Sequence, residues 1–269
     1  MYKFCLTHNY NSFLEEINYI NVGLGNKKFP KNWLTDCTGD NISEKNQYYD
    51  MYTFHYWLWK NYLHKLENEK WICFSTYRRF WKNENLLSEP INFKDKILQN
   101  VPKDWNGYDT ILTEETDLSK IKFMKIFKKG KKLLFKNPLV LFQKKKRNIK
   151  FHFDLMHLDG NLNKALDLID KKEKYQFTDY LNNNSKINMW NLFCCNSKEL
   201  LNDWYSSVFD WLFKCEEVFG FRDLKGYETG RIYAYLAERY LPYWFKKYSK
   251  TRTWPIYFYD TNNIINEKI

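Results

Sequence analysis

The sequence predicts an α/β fold around a mostly parallel central sheet, with helices concentrated towards the C-terminus. Three observations predict it. Short apolar runs of strand length alternate with segments of helical period, the pattern in which helices cover a parallel sheet. Aromatic residues make up 20 % of the chain, enough to fill a core with Trp, Tyr and Phe. The length of 269 residues suffices for one large domain with a sizeable interior.

The elements follow in order. YKFCLTH, residues 2–8, reads as a buried strand that ends in Thr7 and His8. Residues 48–66, YYDMYTFHYWLWKNYLHKL, are apolar on nearly every side and predict one buried helix. WICFSTYRRFW, 71–81, predicts a strand that ends in charge, and YDTILTEE, 108–115, a third strand. Leu155, Leu158, Leu162, Ala165, Leu166 and Ile169 set a helical period over 154–171, and INMWNLFCC, 187–195, predicts another strand. Ser197, with Leu200 and Leu201 behind it, predicts the N-cap of a helix over 197–219. A helix over 229–248 is expected to break or kink at Pro242. WPIYFYD, 254–260, predicts a closing strand. No internal repeat, Walker loop or GxGxxG is present.

The charge is uneven. Residues 121–153 hold twelve Lys and Arg and no acid, against a net charge of +11, so the rest of the chain is close to neutral. A nucleic-acid enzyme spreads such charge along a groove, so no nucleic-acid partner is expected. Within this segment the apolar run LLFKNPLVLF is far short of the roughly 20 residues that a membrane span needs. It suits an interfacial position, with Lys128, Lys129, Lys131, Lys132, Lys144, Lys145, Lys146 and Arg147 meeting anionic lipid. The plainer alternatives are a solvated loop or, against the charge distribution, a nucleic-acid patch. The start, MYKFCLTHNY, lacks the layout of a signal peptide, which places the chain in the cytoplasm, peripheral on the inner face of the membrane. The six cysteines form no C-x-x-C pair, so free buried thiols are expected rather than a zinc site.

Ligands of parallel sheets bind at the carboxyl ends of the strands. That rule nominates His8, then Arg78 and Arg79, whose guanidinium forks suit a diphosphate, against the competing reading of a solvated strand end. Thr38, Gly39, Asp40 and Asn41 offer backbone amides and polar side chains to an anion or a sugar, though the same residues also make ordinary turns. Glu238 stands among aromatics in AYLAERYLPYW. It reads as a general base or as one side of a salt bridge with Arg231 or Arg239. His152 with Asp154 and His157 with Asp159 are weak candidates for a metal. No D-x-D occurs.

Four blocks, in this order, resemble one family. They are LTHN; NVGLGNKK followed by DCTGDNISEKNQYYDMYTFHYWLWKN; WICFSTYRRFW; and NLFCC with LAERYLPYW. The family is the glycosyltransferase-like capsular polysaccharide biosynthesis family of bacterial capsule and O-antigen loci. The resemblance spans about residues 1–118 and 150–260, and the TGDNIS…WKN block carries most of it. It implies a GT-A-like nucleotide-binding sandwich, a single domain over 1–269 with a basic insertion at about 119–150. It also implies transfer of a sugar from a nucleotide-sugar donor, in the first instance UDP-linked, to a lipid-linked or growing surface polysaccharide. Galactofuranose is a donor sugar associated with some members. The implied roles are donor binding by Thr7, His8, Thr38, Gly39, Asp40, Asn41, Arg78 and Arg79, and acceptor binding by Asn191 and Arg231. Glu238 is the implied base, with Asp40 second. Without D-x-D the arginines are expected to take over the metal's charge, while Mn or Mg stays compatible. Two departures, Met51 in place of an acid and Thr76 in place of a His, keep open a non-catalytic sugar-binding subunit.

Overall fold

The computed structural model describes residues 1–68, 70–84 and 92–260. They form two compact units. One comprises Met1–Glu114, Leu192–Tyr205 and the chain from Phe245, the other Glu115–Asn191 and Ser206–Trp244. Each unit is discontinuous in sequence, so no composition shift or linker marks a boundary.

The first unit is built on a sheet of nine strands among the described residues. Its main path runs β10 (Thr251–Trp254), β6 (Thr110–Thr113), β9 (Phe193–Cys195), β4 (Ile72–Thr76), β1 (Tyr2–Thr7), β2 (Ile20–Gly23), β3 (Leu34–Thr35). β1 pairs in parallel with β2 and β4, β2 with β3, and β6 with β10, whereas β9 runs antiparallel between β4 and β6. The sheet is therefore mostly parallel, as expected. β5 (Arg79–Trp81) turns back from β4 and pairs with β11 (Ile256–Phe258). The final apolar run splits into β10 and β11 at Pro255, which cannot donate to a ladder.

The central strands are buried on both faces, which explains their near-continuous apolar runs. On one face Phe4, Phe54, Phe74, His55, Phe193 and Phe245 stack in a chain of ring contacts 4.5–5.8 Å apart. On the other, Cys5 joins Phe13, Ile17, Tyr19, Trp33, Phe80 and Phe93. Cys73 and Cys194, expected as free thiols, lie directly opposite one another on β4 and β9 with Cα atoms 4.0 Å apart, and are joined in a disulfide. Cys5, Cys37, Cys195 and Cys215 are free.

Three predicted elements are broken in the structure. The helix expected over 48–66 is a turn at Asn46–Tyr49, a left-handed residue at Asp50 (φ 52°), a helix at Tyr52–Trp57, a π turn at Leu58–Tyr62 and a 3-10 turn at Leu63–Lys65. The strand expected over 187–195 is β8 (Lys186–Asn188) and β9, separated by Trp190 and Asn191 at φ 74° and 55°. The helix expected over 154–171 ends at Leu158 and restarts at Asn161, because Leu158 and Gly160 both take positive φ.

The second unit contains β7 (Glu115–Asp117), paired antiparallel with β8, and the helices Ile149–His157, Asn161–Leu166 and Lys171–Asn183. It also takes most of the two long C-terminal helices, Lys198–Phe219 and Ile232–Tyr248. The first of these is capped as expected, Ser197 Oγ accepting from Leu200 N at 3.1 Å. The second continues through Pro242.

Candidate active site at the strand ends of the first unit

The carboxyl ends of β1, β2 and β3 lie side by side, since the three strands are parallel neighbours. The chain leaves β1 at His8, β2 at Leu24–Gly25 and β3 at Asp36. The segment 38–61 returns to the same place. Its geometry is set by hydrogen bonds that the composition alone does not reveal.

Asp36 is fully buried. Its Oδ1 accepts the Gly25 N–H at 2.8 Å and its Oδ2 accepts the Thr53 hydroxyl at 2.5 Å. Burial pushes the Asp36 carboxyl above the ordinary range, opposed by the Thr53 hydroxyl, the Gly25 amide and the nearby His8. Asn46 donates to the Asp50 carbonyl and the Thr53 hydroxyl, both at 2.9 Å. These bonds fix the left-handed Asp50, which aims its carboxylate at His8, Oδ1 to Nε2 at 2.7 Å. Both side chains are about a quarter exposed, so the pair faces solvent while anchored from behind. Lys27, itself exposed, donates to the His8 carbonyl at 2.8 Å and adds a cation at this edge.

The TGDN loop is bolted to the aromatic helix. Trp57 donates its indole N–H to Thr38 Oγ1 at 2.9 Å, and the Tyr56 hydroxyl donates to Asp40 Oδ1 at 3.1 Å. The Asn61 amide pairs with the Asp40 backbone like a second strand, accepting from its N–H at 3.0 Å and donating to its carbonyl at 2.7 Å. Asn61 reaches the loop from the π turn, a widening of the helix that often accompanies functional sites. Gly39 sits at φ +59°, and a Cβ there would lie 2.2 Å from Asn61 Oδ1. Gly39→Ala should therefore lower stability by about 1–2 kcal/mol from the left-handed backbone alone. It should also unseat Asp40, and a drop in melting temperature is the measurement.

The family model described as "Domain of unknown function (DUF4422)" matches residues 4–250. The chain belongs to this family. The fold of this DUF4422 chain is shared with a solved structure titled "WbbM bifunctional glycosytransferase apo structure", at a TM-score of 0.67 and 18 % identity, over 97 % of this chain. The chain spans 45 % of the length of that protein. No curated protein matches it.

Not all the expected residues meet in this DUF4422 site. Thr7 is buried and spends its hydroxyl on the 7–11 turn, donating to the Asn9 carbonyl at 2.6 Å. Asn41 acts as a turn residue, accepting from the Ser43 backbone N–H and hydroxyl at 3.2 and 2.8 Å. Thr38, Gly39 and Asp40 are exposed on the loop. Arg78 is exposed in the turn between β4 and β5, and Arg79 opens β5 with its guanidinium carbon 5.7 Å from the Phe258 ring centre. Because β4 pairs in parallel with β1, this turn stands at the same sheet edge as His8.

The acceptor-side candidates belong to the second unit. Glu238 Oε1 accepts the Trp190 N–H at 2.7 Å and Oε2 is paired with Arg239. Arg239 in turn reaches His152 Nδ1 at 3.3 Å. Asn191 donates to the Ala234 carbonyl at 3.2 Å, and Arg231 is exposed. Glu238 thus pins the left-handed Trp190–Asn191 turn. The two His-x-Asp pairs disperse: Asp154 goes to Lys150, Asp159 to Lys136, and His157 stacks on Tyr235 at 3.8 Å. Among the described residues no three His, Cys, Asp or Glu side chains stand together as a metal site. Asp36, the most buried acid of the first site, has both oxygens occupied.

Sequence reasoning missed Asp36, Asp50, Lys27 and Asn61. The signal was present: two acids flank the TGDN loop, and Asp50 precedes Met51 by one position. Met51 itself is buried, and the acid beside it, Asp50, is the one that meets His8.

Proposed function

We propose that this chain is a glycosyltransferase that moves a sugar from a nucleotide-sugar donor, UDP-linked in the first instance, to a lipid-linked or growing surface polysaccharide. The observation that carries the reading is the His8–Asp50 pair at the carboxyl ends of parallel strands, beside a rigid polar loop. The fold shared with a bifunctional glycosyltransferase supports it. Galactofuranose is a candidate donor sugar.

The roles follow from the chemistry. Asp50 orients the His8 imidazole through Nε2 and leaves Nδ1 for a ligand. Arg78, Arg79 and Lys27 bring positive charge to the edge where a diphosphate leaving group would sit. Asp40 takes precedence over Glu238 as the base, since it is exposed and Tyr56 orients it. The Tyr56 hydroxyl is pushed up to about 12 by burial and by Asp40, so it stays a donor. Glu238, with both oxygens engaged, positions Asn191 on the acceptor side. The basic segment brings the enzyme to the anionic inner face of the membrane.

The test is a thermal-shift series with UDP, GDP, CDP and their sugars, with and without manganese. A uridine nucleotide at a hundredfold excess over its Kd should add about 2.7 kcal/mol of stability. If no nucleotide raises the melting temperature, the non-catalytic sugar-binding subunit becomes the better reading.

A further inference from the structure

The second unit carries a groove that the transfer chemistry does not use. An open cavity of about 630 Å³ lies between residues 116–128, His152 and Met189. Lys120, Lys122 and Lys128 stand around it, and Ile121, Met124 and Met189 give it an apolar wall. The one carboxylate in its lining, Asp117, accepts the Ser119 N–H and hydroxyl on Oδ1 at 3.0 and 2.6 Å, while its Oδ2 stands 3.9 Å from Lys120 Nζ, which leaves Lys122 and Lys128 as the cations without an acid in the lining. The groove is cationic at the rim and oily inside, a pairing that suits an amphiphile with an anionic end.

The chain beyond this wall strengthens the case. It continues through helices Phe123–Lys129 and Lys131–Lys136 and the turns Pro138–Leu141 and Lys144–Lys146. Ile126 and Val140 are fully buried and root the segment. Arg147, expected among the lipid-facing cations, is instead 8 % exposed. Its guanidinium donates to the carbonyls of Val140, Leu141 and Ser119 at 2.8–3.2 Å, tying the segment to the groove wall. Lys128, Lys131, Lys144 and Lys145 are exposed, whereas the side chains of Lys129 and Lys132 lie outside the described residues. The outward apolar residues are large: Phe135 is 91 % exposed, Phe142 83 % and Met124 64 %. Exposed aromatics among lysines, with no acid in the stretch, match an anionic bilayer surface.

We infer that this groove receives the phosphate end of a long-chain lipid while Phe135 and Phe142 enter the bilayer surface. Thioether and branched aliphatic walls adapt to a flexible hydrocarbon chain. The lysines supply point charges for a phosphate. The inference rests on the transferase reading only in naming that lipid as the acceptor's carrier; the binding itself does not depend on it.

Flotation of the full chain with three kinds of vesicle tests this. The vesicles contain phosphatidylcholine alone, phosphatidylcholine with phosphatidylglycerol, or phosphatidylcholine with a polyisoprenyl phosphate at matched surface charge. Binding to the polyisoprenyl phosphate vesicles should exceed binding to phosphatidylglycerol by about tenfold. Lys122→Ala with Lys128→Ala should erase that preference and keep the weaker phosphatidylglycerol binding. Phe135→Ser with Phe142→Ser should weaken binding to both anionic vesicles. Equal binding to the two, displacement by inorganic phosphate, or displacement by an oligonucleotide would each overturn the inference. Nucleotide binding is read by melting temperature on the same preparations. A chain that binds nucleotide without preferring the lipid phosphate removes the groove alone, and one that prefers the lipid without binding nucleotide removes the transferase.

Discussion

Asp50→Asn is expected to reduce sugar transfer by about 10²-fold, the scale for a misplaced group beside the reacting centre, with little change in stability. The separation is possible because of the backbone at this position. Asp50 sits at φ 52° and ψ −131°, and Asn keeps the side-chain shape of Asp there, so the substitution adds no backbone cost of its own. The bond from Asn46 goes to the Asp50 carbonyl, which the substitution keeps. What changes is the charge presented to His8 Nε2 at 2.7 Å. His8→Ala should cost a similar factor, and the double variant little more than either alone, because the two act as a unit. Asp50→Ala is the control. It adds the left-handed cost of about 1–2 kcal/mol and should lower the melting temperature where Asp50→Asn does not. Turnover with the nucleotide-sugar found by thermal shift is the measurement. Full activity in Asp50→Asn would remove the pair from the mechanism and leave Asp40 as the carboxylate to examine.

How much of this site was legible in the sequence depends on the range of the interactions. The strand ends were legible, because a buried run that stops at a His or an Arg pair is a local pattern. The loop was legible as a special feature, because Gly39 and its polar neighbours stand directly before a block of aromatics. Its fasteners were not. Trp57, Asn61 and Tyr56 read as core and helix surface until the fold brings them back onto residues 38–40. Asp50 was hidden for a related reason. A 19-residue apolar stretch predicts one helix by its period, and nothing local says that Asn46 and Thr53 will hold residue 50 left-handed. The same holds for Trp190 and Asn191, whose turn is fixed by Glu238, 48 residues away. The basic segment shows the converse. Its charge was plain, yet the inward turn of Arg147 depends on carbonyls that only the folded chain presents.

Acid should unfold this protein earlier than its carboxylates would suggest, and His55 is the reason. The residue lies one turn from the loop fasteners, inside the core. It is fully buried against Phe74, at 4.5 Å between ring centres, with Nδ1 2.9 Å from the Tyr205 hydroxyl and Nε2 without a partner. Burial pushes its pKa down to about 3. An unfolded chain takes up this proton near 6.5, and the folded chain refuses it until about 3. Stability is therefore complete above 6.5 and falls as the pH drops towards 3, by up to about 1.4 kcal/mol for each pH unit. Asp36 and Asp154 act in the opposite sense. Burial raises both carboxyls, so each gains stability as the pH falls and partly masks the loss. Comparison with His55→Phe isolates the histidine. That variant should lose about 1–3 kcal/mol at neutral pH, because the buried bond between His55 Nδ1 and the Tyr205 hydroxyl is removed, and then show a flatter acid dependence than the parent. Urea midpoints at pH 7 and pH 5 measure both slopes, and parallel slopes would show that His55 does not govern the transition. The consequence reaches the site through one helix. Thr53 holds Asp36 and Trp57 holds Thr38 from either side of His55. A proton forced onto that imidazole must move the helix that carries all three, so nucleotide binding should fail over the same acid range in which the parent loses stability.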